Sequence, residues 1–594
     1  MSAFVCILDR SGASLDRREI LQLAESLERY GGTLSSVCRG PVAIAVRHMG
    51  SATSRDRFGP VTDPKTGVVV ALSGRFSFVE EKLVPASASS ALDPFAHQDA
   101  SFFAGTSGSF VAIAADPRRR WLSIVRDHLG DLKVYYYLDR RWLIAASEPA
   151  AILRHAAVAD DLDESSAARF LGFRFSQTER SFFRDIKELP PAHRLTVTAG
   201  DSGAKRYWSF RLHRGAHKRS REQVHAEFRS HLRRSVADQM AELETCQVGL
   251  SLSGGLDSTT LAALVPPGVQ VFSWYFDDLL ECDERSNIEA VAEHLKRRVH
   301  WVNGDGLYPL CGDYVDRFVH ENSPYLNAFA ALKCRLYRVA RANGCERIMV
   351  GDAGDALFSA KEYWLRDALA GGRPRALASL ATTIRDALRG DRFARLALRR
   401  LLPMPGVREV IRGPRRLPWL TETANGLLPK AALSPILPDV RQRHRYDRIV
   451  GAKHTELESE ERRLFAQCGV GRSNPFWYWP LLEMVINLPA CWYYNDGRSK
   501  VLTREAMKGL LPERVLESGR VGLLGTFFLR GIESKRNELR ESVFRHPRSD
   551  WQRYVNRSWL EPYLSASESI RFGHTILWRV ISYELWYRRL IRSS

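Results

Sequence analysis

The chain has 594 residues, 45% hydrophobic and 26% charged, which is long enough for two or more domains and excludes intrinsic disorder as the dominant state. Its 87 Lys and Arg against 68 Asp and Glu leave a net charge of +19. Of those cations 73 are Arg, a skew that fits a polyanionic or acidic partner and equally a GC-rich genome.

No apolar run reaches the roughly 18–20 residues a membrane span needs. The opening MSAFVCILDRSG lacks the basic start and long apolar stretch of a signal peptide. A cytoplasmic protein with no membrane partner is expected. The nine cysteines show no C-x-x-C spacing, which supports neither a cysteine-rich zinc site nor a disulfide framework.

In chain order, residues 1–210 read as β-rich. Short apolar runs recur at 41–49, 67–76, 108–116, 121–128, 133–139 and 142–147, then at 193–199 and 205–210, each bounded by Gly, Asp or Arg clusters. The basic, apolar-poor stretch RLHRGAHKRSRE (211–222) marks a boundary that divides the chain into 1–212 and 213–594. An amphipathic helix, EQVHAEFRSHLRRSVADQM, follows. CQVGLSLSGGLDSTTLAALV then reads strand, Gly-rich turn, helix; VQVFSWYF is the next strand, SNIEAVAEHLKRR and ALKCRLYRVARANG are helices, and ERIMVGDAGDALF runs from strand into loop. Strands alternating with helices predict a doubly wound parallel sheet. Between GDAGD and SNPFWYWP lies a helical insert, about 366–470, whose segment 373–416 carries 12 Arg against 3 acidic residues. It is either a solvated surface or a holding site for a large substrate.

Two clusters carry chemistry. Ser253-Gly254-Gly255-Leu256-Asp257-Ser258 stands between an apolar strand and a helix. Its glycines allow close backbone approach, and N–H groups at the helix start attract an anion. An aspartate beside a phosphate needs a cation between them, so Asp257 is assigned to Mg²⁺. Gly351-Asp352-Ala353-Gly354-Asp355 follows the strand RIMV, at the strand end where open α/β sheets bind ligands; it offers a second metal ligand, Asp355, and a polar group, Asp352. The loop S-G-G-x-D-S matches the pyrophosphate loop of ATP pyrophosphatases, so ATP and Mg²⁺ are the expected cofactors. The resemblance to that enzyme class implies a nucleotide set of Ser251, Ser253, Gly254, Gly255, Asp257, Ser258, Trp274, Gly351 and Lys500.

With these motifs the sequence resembles the asparagine synthetase family over nearly its whole length. SLSGGLDS is similar to the family's ATP loop and VGDAGDALF to its G-E-G-x-D-E-L-F, with Asp355 at the metal position and Asp352 at the Glu position. CDERSNIEAVAEHL, NPFWYWPLLEMVINLP and GRSKVLTREAMKGLLPERV resemble further family segments. RDHLGDLKVYYY with AASEPAAIL, and KELPPAH with RYW, resemble its N-terminal glutaminase. The resemblance implies an α+β Ntn-hydrolase-like sandwich followed by an α/β, adenine nucleotide α-hydrolase-like synthetase domain. It also implies an AMP-forming ligase, with Lys500 on the pyrophosphate and a cation at Arg520, where the family has Lys, on the tetrahedral intermediate; Asp352 orients or deprotonates the amine.

Two departures stand out. Ser2 occupies the place of the family's catalytic Cys, and Ser73-Gly74-Arg75-Phe76-Ser77-Phe78 replaces N-G-E-I-Y-N. The expectation is a first domain without glutaminase activity, retained as a scaffold. Such a chain resembles the lasso peptide cyclases, in which a precursor peptide's carboxylate is adenylated and its own N-terminal amine closes a macrolactam. That resemblance implies a precursor or core peptide as substrate and the leader peptidase and leader-binding protein of the same pathway as partners. An asparagine synthetase using ammonia or glutamine, a β-lactam synthetase-like enzyme and, in a different class, a basic RNA-binding or tRNA-modifying protein are the alternatives.

Overall fold

The computed structural model describes residues 2–49, 59–79, 101–174, 179–213, 219–241, 243–312, 317–319, 321–359, 416–428, 452–495, 498–517, 524–547, 549–565 and 570–593, with single helical positions between 380 and 449. Strand β1, Ser2–Asp9, is buried along its whole length. Phe4, Cys6 and Leu8 point to one face, and Ala3, Val5 and Ile7 to the other, against Ile20, Leu23 and Ala24 of the helix Arg17–Ala24. A strand covered on both faces has no polar alternation, as in the strands Thr106–Asp116 and Trp121–Arg126 of the same domain.

Around it lie β2 (Thr33–Arg39), β3 (Val42–His48), β4 (Val61–Thr62), β5 (Val69–Phe78), β6 (Thr106–Asp116), β7 (Trp121–Arg126), β8 (Tyr135–Leu138), β9 (Trp142–Ala146), β10 (Lys187–Glu188), β11 (His193–Val197) and β12 (Ser202–Arg206). They form two six-stranded antiparallel sheets, β10-β8-β9-β1-β3-β2 and β12-β11-β7-β6-β5-β4. The inner faces share one core, Phe4, Cys6 and Ile44 against Val69, Val111, Ile113 and Ile124, a sheet-on-sheet sandwich. The predicted strand 205–210 is displaced: the chain pairs over Ser202–Arg206, and Tyr207 turns its hydroxyl onto Arg126 O at 2.8 Å.

The helix Arg221–Met240 opens the second part with a capping box in which Ser220 and Gln223 satisfy each other's backbone N–H. A five-stranded parallel sheet follows: β13 (Val248–Ser251), β14 (Gln270–Tyr275), β15 (Val299–Asn303), β16 (Arg347–Met349) and β17 (Gly471–Ser473), in the order β15-β14-β13-β16-β17. Every pairing in it is parallel. The order reverses at β13 and β16, the switch point where such sheets open a crevice at their carboxyl ends. Strand β17, Gly-Arg-Ser, holds no apolar residue and so gave no strand signal.

The two parts meet through polar and aromatic contacts. Trp479 donates its indole N–H to Thr106 O at 2.8 Å and stacks on His128. Arg75 and Ser77 of β5 both grip Asp238 of the Arg221–Met240 helix, Ser77 Oγ at 2.6 Å from Oδ1 and Arg75 at 3.3 Å from Oδ2. One cysteine pair departs from the unpaired expectation: Cys334 and Cys468 are disulfide-bonded, tying the helix Ala330–Ala342 to the turn before β17. Among the described residues no helix is long and apolar enough to cross a membrane.

Candidate active site

The loop after β13 and the loop after β16 face each other across the switch point. Ser258 Oγ lies 2.9 Å from Ser253 Oγ, accepts the Ser253 backbone N–H at 3.0 Å and approaches the Ser253 carbonyl at 3.0 Å. The turn is thereby closed on itself. Its backbone feeds the helix Leu256–Leu264, whose first N–H groups are free of intrahelical partners by geometry. Gly254 donates its N–H to Glu284 at 3.3 Å, a contact the motif alone did not reveal, although Glu284 lies in the CDERSNIEAVAEHL segment.

Asp257 is the hinge between the loops. A Cβ on Gly354 would lie 2.2 Å from Asp257 Cγ, and one on Gly351 3.0 Å from the Ser258 nitrogen; glycine at both places is what lets GDAGD pack on the phosphate loop. Ala353 adopts φ +70° and Lys500 φ +57°. Non-glycine residues avoid this left-handed region, and such backbone strain concentrates at functional sites.

The Lys500 ammonium bridges the loops. It stands 2.6 Å from Asp257 Oδ2 and 2.6 Å from Asp355 Oδ1. Burial pulls the ammonium down, but Asp257 and Asp355 outweigh it and hold Lys500 above its usual range. Burial pushes the Asp257 carboxyl up to about 6 despite Lys500. Asp257 Oδ1 is buried with no hydrogen-bond partner.

A divalent cation fits this donor set. The unsatisfied Asp257 oxygen and the largely exposed Asp355 carboxylate are two hard oxygen ligands, and a nucleotide's phosphates supply the rest, the pattern Mg²⁺ prefers. Lys500, expected on the pyrophosphate, is paired here with the two expected metal ligands. Its ammonium carries a third N–H donor, which can reach a nucleotide's phosphates while both pairs stand.

Asp352 lies at the inner wall. Arg472 of β17, almost wholly buried, pairs with it at 3.0 Å. Burial raises the Asp352 carboxyl, but Lys333 and Arg472 overcome this and hold it below the usual range. A carboxylate held ionised by two cations is a poor proton acceptor. Sequence reasoning missed Arg472; its only signal was its place immediately before the SNPF segment.

The remaining expected residues divide. Ser251 ends β13 beside Phe272. Trp274 donates its indole N–H to Leu332 O at 3.2 Å and packs beside Phe276 and Leu332, on the helix side of the sheet. Its ring is engaged in packing. Arg520 lies outside the described residues, as does most of the Arg-rich segment 373–416, including Arg399 and Arg400.

In the first domain Ser2 Oγ lies 3.0 Å from Ser73 Oγ and accepts the Gly74 N–H. The segment Ser73–Phe78, where the resemblance puts substrate contacts, has turned Arg75 and Ser77 onto Asp238 instead. A cavity of about 1080 Å³ runs from Ser2, Gly74 and Ser107 to Arg472 and Asn474 between the two parts.

Both parts of the chain are similar to known proteins. A family model described as asparagine synthase matches residues 227–588, and one described as glutamine amidotransferase domain matches residues 91–208. The chain is 30% identical over 159 residues to asparagine synthetase [glutamine-hydrolyzing] 3 of Bacillus subtilis, covering 26% of this chain and 25% of that protein. It is 24% identical over 298 residues to the amidase chyE of Penicillium rubens, covering 46% of this chain and 43% of that protein. The matched stretches thus span a quarter to under a half of these relatives. Among solved structures, a glutamine phosphoribosylpyrophosphate amidotransferase from B. subtilis aligns over 59% of this chain and 80% of its own, at 12% identity and a TM-score of 0.24.

Proposed function

Since the chain belongs to the asparagine synthase family, we propose that it joins a carboxylate to an amine through an acyl-adenylate, and that the carboxylate and amine belong to one precursor peptide, closed into a macrolactam. The observation that carries the adenylation is the convergence of the Ser253–Ser258 loop, Asp257, Asp355 and Lys500 at one switch point.

A free carboxylate resists amines because oxide is a poor leaving group. Attack of its oxygen on the α-phosphorus of ATP replaces oxide with AMP. The Ser253–Ser258 backbone holds the β- and γ-phosphates, so these depart together as pyrophosphate. Mg²⁺, when held by Asp257 and Asp355, neutralises phosphate charge. Lys500 shares its cation between those carboxylates and the departing pyrophosphate. The amine then attacks the acyl carbon, oriented by Asp352, while Arg520 serves as the cation for the developing oxyanion.

Two features favour the peptide reading. Ser2 and the diverted Ser73–Phe78 segment argue against an internal ammonia supply. The Arg excess of 373–416 suits an extended, partly acidic substrate. Mass spectrometry of a candidate leaderless peptide incubated with ATP tests it: loss of one water supports macrolactam closure, and an unchanged mass counts against it. Arg399→Glu with Arg400→Glu is expected to raise the KM for that peptide at least fivefold and leave the KM for ATP unchanged; an equal loss for both points away from a peptide-holding role. The similarity to a B. subtilis asparagine synthetase keeps L-aspartate as the second reading, and asparagine formed from it with ammonium would favour that reading.

A further inference from the structure

Beside Asp352 lies a second ion pair that neither the motifs nor the adenylation step uses. Lys333, on the helix Ala330–Ala342, stands 2.5 Å from Glu461 Oε1, on the helix Ala452–Gln467. Asn327 donates its amide N–H to the same oxygen. Glu461 is 92% buried by its 8% residual exposure, and its other oxygen, Oε2, has no hydrogen-bond partner. Lys333 feels both Glu461 and Asp352, and Glu461 feels Asp352 as a like charge. Four charges from four elements, Lys333, Asp352, Glu461 and Arg472, therefore share one wall of the site, buried at Glu461 and Arg472 and part-exposed at Asp352.

A buried carboxylate with one oxygen saturated and one empty is costly unless a donor fills the vacancy. The reaction class supplies such a donor: the attacking amine, which arrives as an ammonium. Asp352 is committed to Arg472, whereas Glu461 Oε2 is committed to nothing among the described residues. Burial outweighs Lys333 and holds the Glu461 carboxyl above its usual range, the direction a proton acceptor needs.

We propose that this cluster is the subsite for the acceptor's primary amine, with Glu461 Oε2 taking a proton from it and Lys333 and Asn327 as positioning residues that hold Glu461. The inference rests on the adenylation reading. R–NH₃⁺ gives one proton to Glu461 and exposes its lone pair. The C–N bond then forms at the acyl carbon, the C–O bond to AMP breaks with its electron pair leaving on AMP, and the second N–H proton passes to water.

Hydroxylamine, whose amine is uncharged at neutral pH, tests this because it captures an acyl-adenylate without needing a base. Wild-type protein with ATP and the carboxylate that supports AMP release, peptide or L-aspartate, must form hydroxamate; if it does not, the adenylation reading itself fails. With that in hand, Glu461→Gln is expected to form hydroxamate within twofold of wild type while its amide product falls at least 50-fold. An equal fall in both products, or a fall in neither, overturns the proposal. The double variant Lys333→Met with Glu461→Leu removes both charges, so it leaves no charge buried alone. It is expected to keep hydroxamate formation and remain amide-deficient. Recovery of amide formation in it would reduce the pair to a structural one.

Discussion

Asp257 does three things at once: it begins a helix, packs on Gly354, and presents one empty oxygen to the crevice. Asp257→Ala or Asp355→Ala is expected to lower AMP release at least 1000-fold with the thermal unfolding midpoint unchanged within about 3 °C; near-normal turnover in either would remove that residue from the site. The raised Asp257 carboxyl adds a pH dependence. In nucleotide-free protein it keeps its proton below about pH 6, and a cation binds only once that proton has left. Mg²⁺–nucleotide affinity is therefore expected to be level in neutral solution and to weaken by up to about tenfold per pH unit below 6. Calorimetric titration in buffers of different ionisation enthalpy would show proton release on binding near pH 6. At this scale the sequence was legible where a motif is contiguous: Asp257, Asp355 and the two serines. Arg472, Lys333 and Glu461 were not, because each reaches the site from an element whose place only the sheet order determines.

Among the elements, the two glycine-bearing loops owe their position to the five-stranded sheet. Strands β13, β14 and β16 were readable as apolar runs before Gly or Asp. Strand β17 was not, since Gly471-Arg472-Ser473 holds no apolar residue, yet it supplies the Arg472 that holds Asp352. Gly354→Ala places a methyl 2.2 Å from Asp257 Cγ, where neither backbone nor carboxylate can yield cheaply. Turnover is expected to fall at least 100-fold with the circular dichroism spectrum intact. A variant with more than a tenth of normal activity would mean the loops are not packed through this glycine. In the first domain β5, β6 and β7 were legible as apolar runs between Gly, Asp and Arg clusters, whereas β1, which like β6 and β7 buries both faces, was not read as a strand.

At the scale of the molecule, the first domain is bolted to the second by Arg75, Ser77 and Asp238 and by the pair of Asp131 with Arg462. The same β5 segment bears the residues that depart from the glutaminase motif. Asp238→Ala removes the carboxylate from Arg75 and Ser77 and leaves Arg75 the backbone carbonyls of positions 238 and 241, and a cost of about 2 kcal/mol is expected by denaturant unfolding. A change below about 0.5 kcal/mol would show that the clamp adds nothing. Purified protein is also expected to release no glutamate from glutamine, because Ser2 Oγ is engaged by Ser73 and Gly74; steady release would show Ser2 acting as a nucleophile.

The central claim is that this site cleaves ATP between the α- and β-phosphates to activate a carboxylate. Chromatography of the nucleotide products after turnover with the carboxylate and amine substrate tests it most directly. The account predicts AMP and pyrophosphate in a one-to-one ratio with the amide formed. ADP and inorganic phosphate as the products would contradict it.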